Sequence, residues 1–154
     1  MAEWRYQARR LNGDGTSTLL DPELPLLGPS LTSVLSGPAG HSSRIEPAYE
    51  RLLAGDRRPV LERYSTAIFA LEDDVIRHGC ILTDVQTQGP TLSLSGVGFS
   101  GYIKGIPYQG EKFFVETDPL DIERHLWAYA QGRPRGNIGM VLSGKKVGVL
   151  IGKT

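Results

Sequence analysis

The stretch STAIFALEDDVIRHGCILTDVQTQGPTLSLSGVGF, residues 65–99, constrains the fold more than any other part of the chain. Apolar and polar residues alternate along it, the period of a strand with one buried face. Two turn signals, Asp73-Asp74 and Gly89-Pro90, cut it into three. The pattern predicts a meander of three antiparallel strands. Its expected apolar face holds Phe69, Leu71, Ile76, Cys80, Leu82, Leu92 and Leu94.

The flanking sequence extends this into a β-rich domain. Residues 3–11 alternate, with Trp4, Tyr6 and Ala8 on one side and Arg5, Gln7 and Arg9 on the other, and NGDG (12–15) follows as a turn. Residues 19–29 carry three prolines. Proline cannot donate to a ladder, so this segment is expected at a sheet edge or simply extended. Residues 31–47 read as a hairpin around Gly37-Pro38-Ala39-Gly40, residues 48–56 as two helical turns ended by Gly55, and 57–64 as the return to the sheet. One long helix is expected over 117–132, with Asp118 as N-cap, Pro119 at the first position and Asp121 in the first turn. Ile122, Leu126, Trp127 and Tyr129 form its apolar stripe, and Gly132 is its stop. Residues 138–154 read as two more strands around the turn SGKK.

This order has no βαβ alternation, which excludes a doubly wound parallel sheet. The expected fold class is mainly β (α+β): an antiparallel β-barrel or sandwich with one packed helix at about 118–131. The expected division is a β-barrel domain over 1–116 and a helix-plus-strands part over 117–154. That second part either closes the first domain or begins another. The sequence stops inside the apolar run VGVLIGKT, which reads as the N-terminal part of something longer.

Composition narrows the function. Nineteen glycines and ten prolines, spread evenly over 154 residues, favour short strands and turns over long helices. Seventeen basic and seventeen acidic residues balance, so the basic footprint of a nucleic-acid binder is absent. Cys80 is the sole cysteine, which excludes a disulfide within the chain. No apolar run approaches the ~20 residues that span a membrane, and MAEWRYQARRL has no signal-peptide core. A protein made in a reducing cytoplasm, without a membrane anchor, is expected.

Several motifs invite chemistry. In GVGFSGYIKG (96–105), Gly96, Gly98 and Gly101 spell the dinucleotide fingerprint and Lys104 follows. That fingerprint needs a helix opened by its third glycine. Gly105, Pro107 and Gly110 prevent one, so bending glycines explain the stretch better than a nucleotide-binding module at Gly96–Lys104. GVLIGKT (148–154) misses P-loop spacing by one residue. His78 and Cys80, two apart on a strand, share a face and offer an alternative hydrolase pair or metal site. A closed zinc site needs four ligands, and His41 and His125 lie in a hairpin and a helix without matching spacing. Glu72-Asp73-Asp74 reads as a solvated hairpin tip. Arg57-Arg58 and Arg133-Pro134-Arg135 read as solvated surface or one side of a subunit contact. Catalytic, cofactor-binding and metal residues are therefore all assigned as none, and no cofactor is expected. Trp4, Tyr102, Tyr108 and Phe113-Phe114 are either core or anchors for such contacts.

The order of segments is itself informative. WRYQARRLNGDGTSTLLDPELPL, LSGPAGHSSRIEP, YSTAIFALEDDVIRHGCILTD, GFSGYIKGIPY and DPLDIERHLWAYAQGRPRGNIGM follow one another over nearly the whole chain. In this order they resemble the N-terminal region of minor tail proteins from long-tailed phages of actinobacteria. The resemblance implies a tail-tip (baseplate) hub, a virion protein assembled in the host cytoplasm. It implies a domain similar to the β-barrel of tail-tube proteins, a homotrimeric ring, and a part in the DNA-exit path. The implied partners are other copies of the chain, the distal tail protein, the tape-measure protein and further tail-tip proteins, with genome DNA only in transit.

Overall fold

The computed structural model describes residues 3–33 and 37–148. Contacts group the chain into two compact units, one of residues up to Leu11 with Ser17–Tyr102, the other of Asn12–Thr16 with Ile103 onward. The division expected after residue 116 concerns folding domains and stays an expectation.

The first unit is a seven-stranded antiparallel sheet. Its strands are β1 (Trp4–Leu11), β2 (Ser17–Asp21), β3 (Leu27–Thr32), β4 (Gly40–Ile45), β5 (Thr66–Glu72), β6 (Val75–Gln88) and β7 (Thr91–Gly98), ordered β2-β1-β5-β6-β7-β4-β3. The meander β5-β6-β7 is its centre, as the alternation predicts. The proline-bearing segment supplies the edges: β2 and β3 are the two outermost strands.

The ladder is not closed into a barrel, because β2 and β3 do not pair. The chain nevertheless forces the sheet to curl. Six links separate Asp21 from Leu27, at most about 22 Å of extended chain. Six strand-to-strand steps would put the edges of a flat sheet about 29 Å apart. The sheet therefore wraps round one interior. Ala8, Ile45, Ile68, Cys80, Leu82, Leu92 and Leu94 meet there in a single buried cluster, joined by Leu24 from the link and by Val60 and Leu61 from the β4–β5 connection. Each fully buried aliphatic side chain contributes roughly 1.5–3 kcal/mol.

Two bulges in β6 set which residues face inward. Arg77 is extra between the pairs Leu71↔Ile76 and Ala70↔His78. Thr83 is extra between Leu82↔Gly96 and Asp84↔Ser95. A bulge adds one residue and switches faces. The expected apolar face is corrected accordingly. Cys80, Leu82, Leu92 and Leu94 point inward, but Ile76, beyond the Arg77 bulge, is 57% exposed. On β5 it is Ile68, opposite Cys80, that enters the core cluster. Phe69 lies opposite Gly79 and packs on Phe99, ring centroids 5.6 Å apart.

Other expectations also shift. Gly40 begins β4 rather than ending the hairpin loop; residues 34–36 of that hairpin lie outside the described residues. In place of two helical turns at 48–56 there is one 3-10 turn, Pro47–Glu50. The rest of the connection, through Val60 and Leu61, covers the core. Arg10, 2% exposed, is anchored to this cover. It ion-pairs with Glu62, donates to the Pro59 carbonyl at 2.9 Å, and places Nε 3.2 Å from Asp56 without hydrogen-bond alignment.

The second unit holds the helix α1 (Pro119–Gln131), close to its expected limits, with Asp118 accepting the Leu120 N–H at 2.9 Å. Residues 138–148 have no regular structure and form no ladder; residues 149–154, the remainder of the two expected strands, lie outside the described residues. Side chains of α1 satisfy the backbone of 138–148 instead. Gln131 exchanges two hydrogen bonds with Met140, both 2.9 Å. Arg124 donates to the Ser143 and Lys145 carbonyls. Asp118 accepts the Val147 and Gly148 N–H groups at 2.8 and 2.9 Å.

Candidate functional site

The glycine motif forms where the β3–β4 connection crosses β7. None of Gly96, Gly98 and Gly101 has a positive φ. All three are glycine because the space beside them is filled. A Cβ on Gly96 would fall 2.8 Å from Cys80 Sγ, one on Gly98 2.9 Å from Ala39 Cβ, and one on Gly101 2.5 Å from Val97 Cγ2 and 2.9 Å from Pro38 Cβ. Gly98 donates to the Ala39 carbonyl at 2.6 Å. Phe99–Gly101 make a short 3-10 turn, and extended chain follows at Ile106. No helix opens at Gly101, so no row of free N–H groups faces a phosphate there. Gly148 begins the P-loop-like run; the rest of it lies outside the described residues.

His78 and Cys80 do share the inward face, and the structure adds a residue that sequence spacing missed. His41 pairs with Gly96 across β4–β7 and is 5% exposed. Its Nε2 shares a 2.9 Å hydrogen bond with Ser43 Oγ. Its Nδ1 and both ring nitrogens of His78 are buried without a hydrogen-bond partner among the described residues. Burial pushes His41 down to about 4, with repulsion from His78 adding to it. Burial also lowers His78. The alternation His41-Ser42-Ser43-Arg44-Ile45 on a hairpin arm was the available signal for an inward His41.

Burial pushes the Cys80 thiol up to about 12, despite a backbone hydrogen bond at Ile68. A nucleophilic or metal-binding cysteine must be a thiolate, and this one is held as a thiol. Among the described residues no group of three or more His, Cys, Asp or Glu side chains could hold a metal ion.

The remaining expected sites are surface features. Glu72 pairs with Arg77 and Asp74 with Arg5, while Asp73 accepts the Glu3 N–H. Arg58 pairs with Glu62. His125 on α1 shares a 2.8 Å hydrogen bond with the Tyr108 hydroxyl and packs edge-on against Phe114. Tyr108 is half-buried against α1, whereas Phe113 is 92% and Trp4 45% exposed. Among the described residues no helix is long and apolar enough to cross a membrane.

These observations define a mainly β protein: one curled antiparallel sheet and one helix, with its polar motifs absorbed by packing. No family model matches the chain, and no curated protein matches it. Among solved structures it is similar to the tail protein from Neisseria meningitidis MC58, at 15% identity and a TM-score of 0.47, over 82% of this chain and 33% of that one. The chain thus spans about a third of that protein's length.

Proposed function

We propose that the chain is a structural subunit of a phage tail tip, an oligomeric hub ring that joins the tail tube to the tip and lines part of the DNA-exit path. The observation that carries this reading is the order of its segments, which resembles hub proteins over nearly the whole chain. That order folds into a curled sheet with two edge strands, each paired on one side only among the described residues. Edge strands are normally protected, and subunit contacts of a closed ring protect them. The ring is a homotrimer, with the distal tail protein, the tape-measure protein and other tip proteins as neighbours. A formal charge of zero suits a wall past which DNA slides without sticking. The reading assigns the chain assembly rather than chemistry. Cryo-microscopy of the virion tests it: density for this chain in a ring at the tail tip is expected, and density elsewhere in the particle, or none, overturns it.

A further inference from the structure

The first half of β1 borders a cleft that none of the described residues fills. β2 pairs with β1 only from Ala8 onward, and the chain returns to β1 where Leu24 donates to the Tyr6 carbonyl at 2.8 Å. The gap leaves a hollow of about 370 Å³ with Trp4, Tyr6, Leu24, Pro25 and Leu26 as its apolar wall. An adjoining hollow of about 270 Å³ shares Arg5 and Glu23 with the first and adds Glu3, Asp73 and Asp74. Asp74 pairs with Arg5, while Glu3, Glu23 and Asp73 have no cation partner among the described residues. An exposed indole beside unpaired carboxylates is the environment a guanidinium prefers: its plane stacks on the ring and its fork meets the acids.

The chain carries the complementary piece. Its charges balance, so an acid surplus in one place is matched by base elsewhere. Arg133 and Arg135, in the loop after α1, are exposed and form no ion pair among the described residues. The backbone of their loop is held by local contacts. Gly136 donates to the Arg133 carbonyl at 2.8 Å, and a Cβ on Gly13 would fall 2.8 Å from Arg135 Cα. Arg135 is held at φ 58°, a conformation that costs a side-chain-bearing residue energy. A held backbone spares the loop's own ordering cost on docking and leaves that of the two arginine side chains.

We propose that the Arg133-Pro134-Arg135 loop of a second copy docks in the Trp4 cleft. This rests on the ring reading and names one of its subunit contacts. The contact is heterologous, with knob and cleft on different parts of the chain, the type that closes into rings.

The test is sedimentation velocity on the full chain at low and high salt. Expected results are salt-sensitive self-association, weakened at least tenfold by Arg133→Glu with Arg135→Glu, and equally by Glu3→Lys with Glu23→Lys. Mixing the two reversed chains should restore association. Arg57→Glu, at another exposed and unpaired cation, should change nothing. Self-association that survives both reversals, or falls as much with Arg57→Glu, overturns this contact and leaves the ring to other surfaces. A wild-type chain that stays monomeric at every concentration overturns the contact outright, and the virion density then decides the ring separately.

Discussion

Gly96 and Cys80 fill one space: a Cβ on Gly96 would lie 2.8 Å from Cys80 Sγ and 3.1 Å from the Ile81 carbonyl oxygen. The first residue of the apparent phosphate motif is thus a packing residue against the chain's only thiol. Gly96→Ala should destabilise by about 1–3 kcal/mol, the usual cost of overpacking. Cys80→Ala in the same chain should recover part of that, and only part, because the carbonyl contact remains. Urea unfolding of both single variants and the double variant measures the coupling. Simple additivity would refute the shared space.

Acid should loosen the sheet in a defined window. His41 titrates near 6.5 when unfolded and at about 4 when folded. Between those values the unfolded chain holds more protons, so stability is full above pH 6.5 and declines as pH falls toward 4. The loss from His41 alone is of the order of 3 kcal/mol. His78, lowered by burial, acts in the same direction. Depressed carboxylates such as Asp118 act lower, losing their contribution only below their ordinary value of 3.8. His41→Gln should flatten the profile between pH 6.5 and 4, read from urea midpoints across that range. An unchanged slope would mean that the imidazole is not held neutral.

Much of this was legible in the sequence, and what was not has physical causes. Alternation and turn chemistry located β5, β6 and β7, because Asp73-Asp74 and Gly89 supply the positive φ that tight turns demand. Prolines marked the edge strands. The inward face was legible only between bulges. Arg77 and Thr83 leave no compositional trace, yet each reverses the faces beyond it. The helix was legible from its cap, while residues 138–148, the described part of the two strands expected after it, form no ladder. Their apolar alternation is real, but side chains of α1 take the hydrogen bonds that a neighbouring strand would have taken. His41 was set aside on spacing because the residues it meets across the sheet, Gly96 and His78, lie far away in sequence.

The cover over the core hangs on Arg10. Its guanidinium is almost wholly buried and meets Glu62, Asp56 and the Pro59 carbonyl. Glu62→Ala removes the carboxylate shared by Arg10 and Arg58 and leaves a buried cation with the Pro59 carbonyl and, as counter-charge among the described residues, the poorly aligned Asp56. Breaking one side of a buried pair costs about 3–5 kcal/mol. The partial exposure of Glu62 and the remaining Asp56 place the expected loss near the lower end, about 3 kcal/mol. Arg10→Met, which removes the charge and keeps the stem, should cost less than Glu62→Ala. Chemical denaturation of the two variants decides the order, and the reverse order would show that the salt bridge, not the burial of a lone charge, dominates.

Asp118 joins two structures that the sequence presents as separate. One carboxylate oxygen caps α1 through Leu120, while the other receives Val147 and Gly148. Burial opposes its charge, but the N–H groups of Gly148, Leu120 and Val147, with Lys146 nearby, hold its carboxyl below the usual range. Asp118→Asn keeps one acceptor oxygen and should release either the cap or the strap. Asp118→Ala should release both. Gln131→Ala cuts the strap at Met140 and leaves the cap intact. Amide hydrogen exchange separates these outcomes. Faster exchange at Leu120, Val147 and Gly148 together is expected in Asp118→Ala, and in Asp118→Asn either at Leu120 or at Val147 and Gly148. In Gln131→Ala, faster exchange should appear at Met140 while Leu120 stays protected. Unchanged protection of Val147 in Asp118→Ala would mean that this segment is held by something other than this carboxylate.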